Sequence, residues 1–169
     1  MTKRTHHGSA QIAQEVVTTS IDADSPQLLL ENQVCFPLYS AANAVVRAYR
    51  PYLDALNLTY LQYMVLLVLW QESSLRVRAL GERLSLDSGT LTPLLKRMED
   101  KGFVSRRRGK QDERERIISL TAKGLALREQ ARDIPLKLAG GVGLPPAKAH
   151  ELKSLCQQLL EALARQERQ

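Results

Sequence analysis

Two cysteines, Cys35 and Cys156, are the residues best suited to covalent chemistry in this chain. Neither stands in a CxxC pair or a Cys/His cluster, so they build neither a disulfide scaffold nor a metal site. As single thiols in a reducing compartment they are either inert packing residues or redox-active groups. His6 and His7 are an adjacent pair, too few ligands for a metal. His150 is the one other histidine. With no cysteine–histidine pairing evident, a thiol peroxidase is disfavoured and no enzyme activity is expected.

Charge offers a second chemistry. The formal net charge is +6, and it is concentrated: Leu75–Arg116 carries 12 Lys/Arg against seven Asp/Glu, the rest of the chain 12 against 11. A basic block of this kind is either a solvated face or the footprint of a polyanion site.

The elements that must position these groups follow from length and pattern. A chain of 169 residues that is 44% hydrophobic can bury one core. No apolar run approaches the roughly 20 residues of a membrane span, and MTKRTHHGSAQ lacks a secretory apolar core. A soluble, cytoplasmic protein is expected, with no membrane contact. Residues 1–24 read as a disordered tail and 25–169 as a single domain. Ser25-Pro26 reads as the start of a helix reaching about Tyr49, kinked or split by Pro37. Thr59 caps a mostly buried helix from Tyr60 to about Gln71. Short helices follow over Val77–Leu84 and Ser88–Lys101, the second capped by Asp87 or Ser88 and stopped by Lys101-Gly102. Phe103–Arg107 and Arg116–Leu120 read as a hairpin around a charged tip. Thr121 caps a helix to about Leu138, Gly140–Gly143 breaks the chain, and Pro145-Pro146 opens a last amphipathic helix to about Ala164.

This order predicts a mainly α fold with a small β-hairpin wing. It is a winged helix-turn-helix over about 59–121, flanked by helices over 25–58 and 122–169 that suit dimerisation. The Ser88 helix is then the one that enters the major groove. Ser88, Gly89, Thr90 and Thr92 at its opening are small enough for close approach to bases and phosphates, or are ordinary capping residues. Lys96 and Arg97 suit phosphates, or a solvated face. Arg106, Arg107 and Arg108 lead into the wing, and Arg114 at its tip suits the negative potential of a minor groove. Asp112 suits orienting that arginine rather than touching DNA.

The segment LSLDSGTLTPLLKRMEDKGFVSRRRGKQDERERIISLTAKG (Leu84–Gly124) resembles the DNA-binding core of the MarR family, above all in DSGTLTPLLKRM and in D-E-R followed by I-x-L-T. Within that family, NQ-x-CF-x-LY around Cys35 resembles the organic-hydroperoxide-responsive repressors. The resemblance covers about Gln27–Pro135. It implies a homodimer that holds a pseudo-palindromic double-stranded DNA operator and is released when organic hydroperoxide oxidises Cys35. It further implies that Tyr49 and Tyr60, with Tyr39 one turn from Cys35, are hydrogen-bond partners of the sensor, and that the DER arginine is Arg114. No cofactor is implied.

Peroxide is attacked by thiolate, which tyrosine hydroxyls stabilise by donating to it. Cys35 and Tyr49 are 14 residues apart, about 20 Å along a continuous helix at 1.5 Å per residue, so a contact between them should cross a dimer interface. Relatives resolve the oxidised cysteine either with a second cysteine or with a low-molecular-weight thiol. The second cysteine usually falls near what is here Leu136–Gly143, where there is none. Cys156 instead sits at apolar spacing with Leu152, Leu155, Leu159 and Leu163, which favours packing and leaves the choice open. The alternative function is a MarR-type regulator released by a small aromatic ligand held between the dimer helices and the DNA-binding lobe.

Overall fold

A computed structural model describes residues 25–109 and 115–166. The expected N-terminal tail and the wing tip with Asp112 and Arg114 lie outside the described residues. Residues up to Ala41 and those from Ala42 onward are two separate units, with the boundary inside the first helix.

In the first unit, Pro26 does not start the long helix that the sequence predicts. It opens a 3-10 turn, Pro26–Leu28, followed by a second, Leu30–Asn32, with Leu29 extended between them. The reason is local competition for carbonyls. The Asn32 amide donates to the Pro26 carbonyl at 2.7 Å, and that of Gln33 donates to the carbonyls of Gln27 and Leu29. Side-chain amides thus occupy acceptors that a helix would need. Helix α1 begins only at Cys35 and runs to Asp54. Pro37 therefore falls in its first turn, where a missing N–H costs nothing, and the predicted split at Pro37 does not occur. Pro51 lies inside the helix without ending it.

The second unit is built around α2 (Tyr60–Glu72), which buries Gln62, Tyr63, Val65, Leu66, Val68 and Leu69. Its start is fixed by a reciprocal capping box. The Thr59 hydroxyl accepts from the Gln62 N–H, and the Gln62 side chain accepts from the Thr59 N–H. Ser74–Arg76 forms a short strand, β1, that the sequence reading missed. Helices α3 (Val77–Leu84) and α4 (Ser88–Asp100) follow, then strands β2 (Val104–Arg108) and β3 (Arg116–Leu120). The expected hairpin is thus two-thirds of an antiparallel sheet of order β1-β3-β2. Ile118, fully buried, pairs with Leu75 on one side and Arg106 on the other.

The predicted single helix after Thr121 is two, α5 (Ala122–Ala131) and α6 (Ile134–Val142). Pro135 accounts for the break, since it has no N–H to give the preceding turn and suits the start of a new helix. The predicted break over Gly140–Gly143 falls at the last of these residues. Gly140 and Gly141 stay helical, and Gly143, at φ +68°, ends α6 in the left-handed region. Helix α7 (Pro146–Gln166) buries no residue, and Leu152, Leu155, Leu159, Leu160 and Leu163 are exposed along it.

Candidate nucleic-acid interface and sensor residues

Helix α4 presents two chemically distinct sides. Leu91, Leu94, Leu95 and Met98 are buried, while Ser88, Gly89, Thr92, Lys96 and Arg97 are exposed. Asp87, not Ser88, is the cap. Its carboxylate accepts from the Thr90 N–H at 2.9 Å and from the Thr90 hydroxyl at 2.8 Å. These two bonds, the side-chain one the larger, hold the Asp87 pKa below the usual carboxylate range. The Thr90 hydroxyl is therefore committed to the cap, and of the expected opening residues Ser88 and Thr92 keep exposed hydroxyls. Gly89 has a steric role in the same turn, because a Cβ there would stand 2.9 Å from Asp87 Oδ1.

The wing arginines separate by face. Cross-strand partners lie on the same side of a sheet. Arg106 pairs with buried Ile118 and so lies on the core side; its backbone N–H donates to Glu99 at 2.9 Å, and its Nε is buried without a partner among the described residues. Arg107 pairs with Ile117, and Ile117 also pairs with Arg76. Two arginines thus flank one isoleucine across the outer face. Arg108 pairs with Arg116 nearer the tip. Sequence reasoning missed Arg76 because it missed β1. Arg76 also meets Glu115 at 3.2 Å, which ties β1 to the base of the wing. A cleft of about 1380 Å³ opens beside the start of α4, walled by Arg76, Arg78, Ser88 and Arg116 and by Leu160 and Leu163 of α7.

Tyr49 of α1 and Tyr60, the first residue of α2, have ring centroids 5.1 Å apart. Tyr63 joins them 5.7 Å from Tyr49 and meets Trp70 edge-on at 6.1 Å. Burial raises the pKa of all three tyrosines, so at neutral pH they are phenols able to donate. The Tyr63 hydroxyl is buried and has no partner among the described residues. Its membership was legible in principle: Tyr60, Tyr63, Leu67 and Trp70 follow a helical spacing of 3, 4 and 3. In the first unit, Cys35 is an exposed free thiol at the first position of α1, and Tyr39, one turn on, is exposed as well. Cys156 is half-buried on α7, among the leucines the sequence grouped with it.

Residues 47–130 match the family model for the transcriptional regulator SarA/Rot. The organic hydroperoxide resistance transcriptional regulator of Bacillus subtilis is 48% identical over 134 residues, covering 79% of this chain and 91% of that one. The regulator TtmR of Methylorubrum extorquens is 49% identical over 128 residues, 76% of this chain and 65% of that longer relative. Reduced AbfR bound to DNA, a protein of Staphylococcus epidermidis, superposes with a TM-score of 0.70 at 34% identity, covering 85% of this chain and 98% of that one. Both relatives are named as transcriptional regulators rather than enzymes. With an exposed, hydroxyl-bearing α4 followed at once by an arginine-rich wing, the chain belongs to the MarR family of winged-helix transcriptional regulators.

Proposed function

We propose that this regulator is a redox-sensing repressor that binds a pseudo-palindromic operator as a homodimer and lets go when organic hydroperoxide oxidises Cys35. The observation that carries the reading is the exposed Cys35 thiol at the start of α1, in a chain 48% identical to an organic hydroperoxide resistance regulator. The Cys35 thiolate attacks one peroxide oxygen, the O–O bond breaks, and the alcohol leaves after taking a proton. Sulfur loses two electrons and becomes a sulfenic acid. A low-molecular-weight thiol then condenses with it, forming a mixed disulfide and water. Tyr49 and Tyr60 supply phenol donors, and Tyr39 is a third candidate. Cys156 is assigned to packing. The exposed leucines of α7, with Leu136 and Val142 of α6, supply apolar faces that a second copy would cover.

The deciding measurement is operator mobility with wild type and Cys35→Ser, each with and without an organic hydroperoxide. Wild type is expected to release DNA and Cys35→Ser to stay bound. Equal release of both would place the switch elsewhere, as in a ligand-operated regulator.

For the DNA contacts, Ser88, Gly89 and Thr92 of α4 read the major groove, and Lys96, Arg97, Arg107 and Arg108 meet phosphates. Arg114, oriented by Asp112, is assigned to the minor groove from its motif. Arg107→Ala removes one phosphate contact from each protomer, and is expected to weaken binding on every operator variant and to flatten the slope of log affinity against log salt by about 1.8. An unchanged slope would remove the outer face of β2 from the interface.

A further inference from the structure

The far end of the recognition helix is held by one ammonium group. Lys101 closes α4, and its Nζ lies 2.7 Å from the Asn57 carbonyl, 3.2 Å from Asn57 Oδ1 and 3.2 Å from Gln62 Oε1. Three acceptors match the three protons of an ammonium, which leaves none for a phosphate. Such charge-assisted bonds are about twice as strong as neutral ones. The acceptors are themselves fixed. Asn57 sits in the left-handed region at φ +54°, and Gln62 is 1% exposed while its Oε1 also accepts from the Thr59 N–H at 3.1 Å. At the other end of the residue, Lys123 Nζ donates to the Lys101 carbonyl at 2.8 Å.

The capping box that holds Gln62 brackets Tyr60, which packs on Tyr49. The tyrosine pair is thus linked to the end of the DNA-reading helix by a polar route, a capping box and one ammonium, beside the shared apolar core. We propose that Lys101 is a positioning residue for α4, which carries movement at the Tyr49–Tyr60 pair to the recognition helix through Asn57 and Gln62. The oxidant arm of this proposal rests on the Cys35 reading above. A shift of the first turn of α2 displaces Gln62 Oε1, one of the three Lys101 acceptors, and one that also moves the preceding turn displaces the two on Asn57; either way α4 loses part of its anchor.

The test measures operator affinity of the full chain, reduced and after tert-butyl hydroperoxide, across a salt series. Wild type is expected to weaken on oxidation by a factor of about 5 to 150, the usual range of coupling between sites. Lys101→Met should bind the operator roughly tenfold more weakly when reduced, with the salt slope of wild type, and its oxidation factor should fall to about 2. Lys101→Arg should recover most of both. Asn57→Gly accepts φ +54° without strain, so its melting temperature should hold or rise while one acceptor is lost and part of the oxidation factor goes with it. Should circular dichroism show Lys101→Met unfolded, Asn57→Gly carries the test. A wild-type oxidation factor in the folded variants overturns the proposal. So does a salt slope flatter by about 1.8 in Lys101→Met, which would make Lys101 a phosphate contact in each protomer. If wild type is not released by oxidant, the Cys35 reading fails, and Lys101 stands or falls on the reduced-state affinity and slope.

Discussion

Leu95→Ala is expected to lower the unfolding free energy by about 3 kcal/mol and to weaken operator binding. Leu95 is fully buried in the middle of α4, in the same core cluster as Leu66, Leu69, Leu80 and Met98. Leucine-to-alanine exchanges at such sites remove transfer energy and leave a cavity, together about 2–5 kcal/mol. For a domain stable by about 5–15 kcal/mol this is a large fraction. The exposed Thr92, Lys96 and Arg97 are untouched, so the lost affinity would come from a recognition helix that no longer docks on its support. Urea denaturation followed by circular dichroism, at one fixed protein concentration, measures it. A loss below about 1 kcal/mol would mean the site collapses around the gap.

Gly124→Ala is expected to destabilise by a comparable amount, on the order of 3 kcal/mol, by the opposite route of overpacking. A Cβ at Gly124 would collide with the Phe103 carbonyl oxygen and stand 2.9 Å from Leu120 Cδ1. The first of these is backbone, held in place by the Thr121 hydroxyl at 3.0 Å, and cannot swing aside. The Gly124 N–H is itself tied to the Thr121 hydroxyl at 3.0 Å, and its carbonyl accepts from Trp70 Nε1 at 3.0 Å. Trp70 is the one tryptophan of the chain, so its fluorescence reports this joint together with its edge-on contact to Tyr63. A red-shifted emission at native pH, with a lowered urea midpoint, is the expected signature. Unchanged emission would show that the first turn of α5 yields without losing the bond.

What could be read from sequence was the local part of the fold. The caps of α2, α4 and α5 stand beside the residues they serve, and the winged order followed from them. Strand β1 escaped because three residues, Ser74–Arg76, carry no period; their extension is imposed by β3, more than 40 residues away. Asn32 and Gln33 defeated the predicted first helix for a similar reason, since an amide that bonds a carbonyl six residues back leaves no mark in an apolar pattern. The site suffered from shared chemistry. Thr90 suits both a cap and a base contact, and only geometry shows its hydroxyl spent on Asp87. Lys101 reads in sequence as a charge complementing a helix end, whereas its ammonium bonds a turn 39 to 44 residues distant.

The sheet order leaves β2 with one flank unpaired among the strands described. An open strand edge is a template on which another chain can grow a strand, and charged side chains are a common defence. Val104–Arg108 places arginines at three successive positions on that edge. The residues suited to grip phosphate therefore also keep copies of the free protein from stitching together edge to edge. Neutral replacements at Arg107 and Arg108 would strip both protections at once, and a regulator weakened for DNA in this way would also be a poorer colloid.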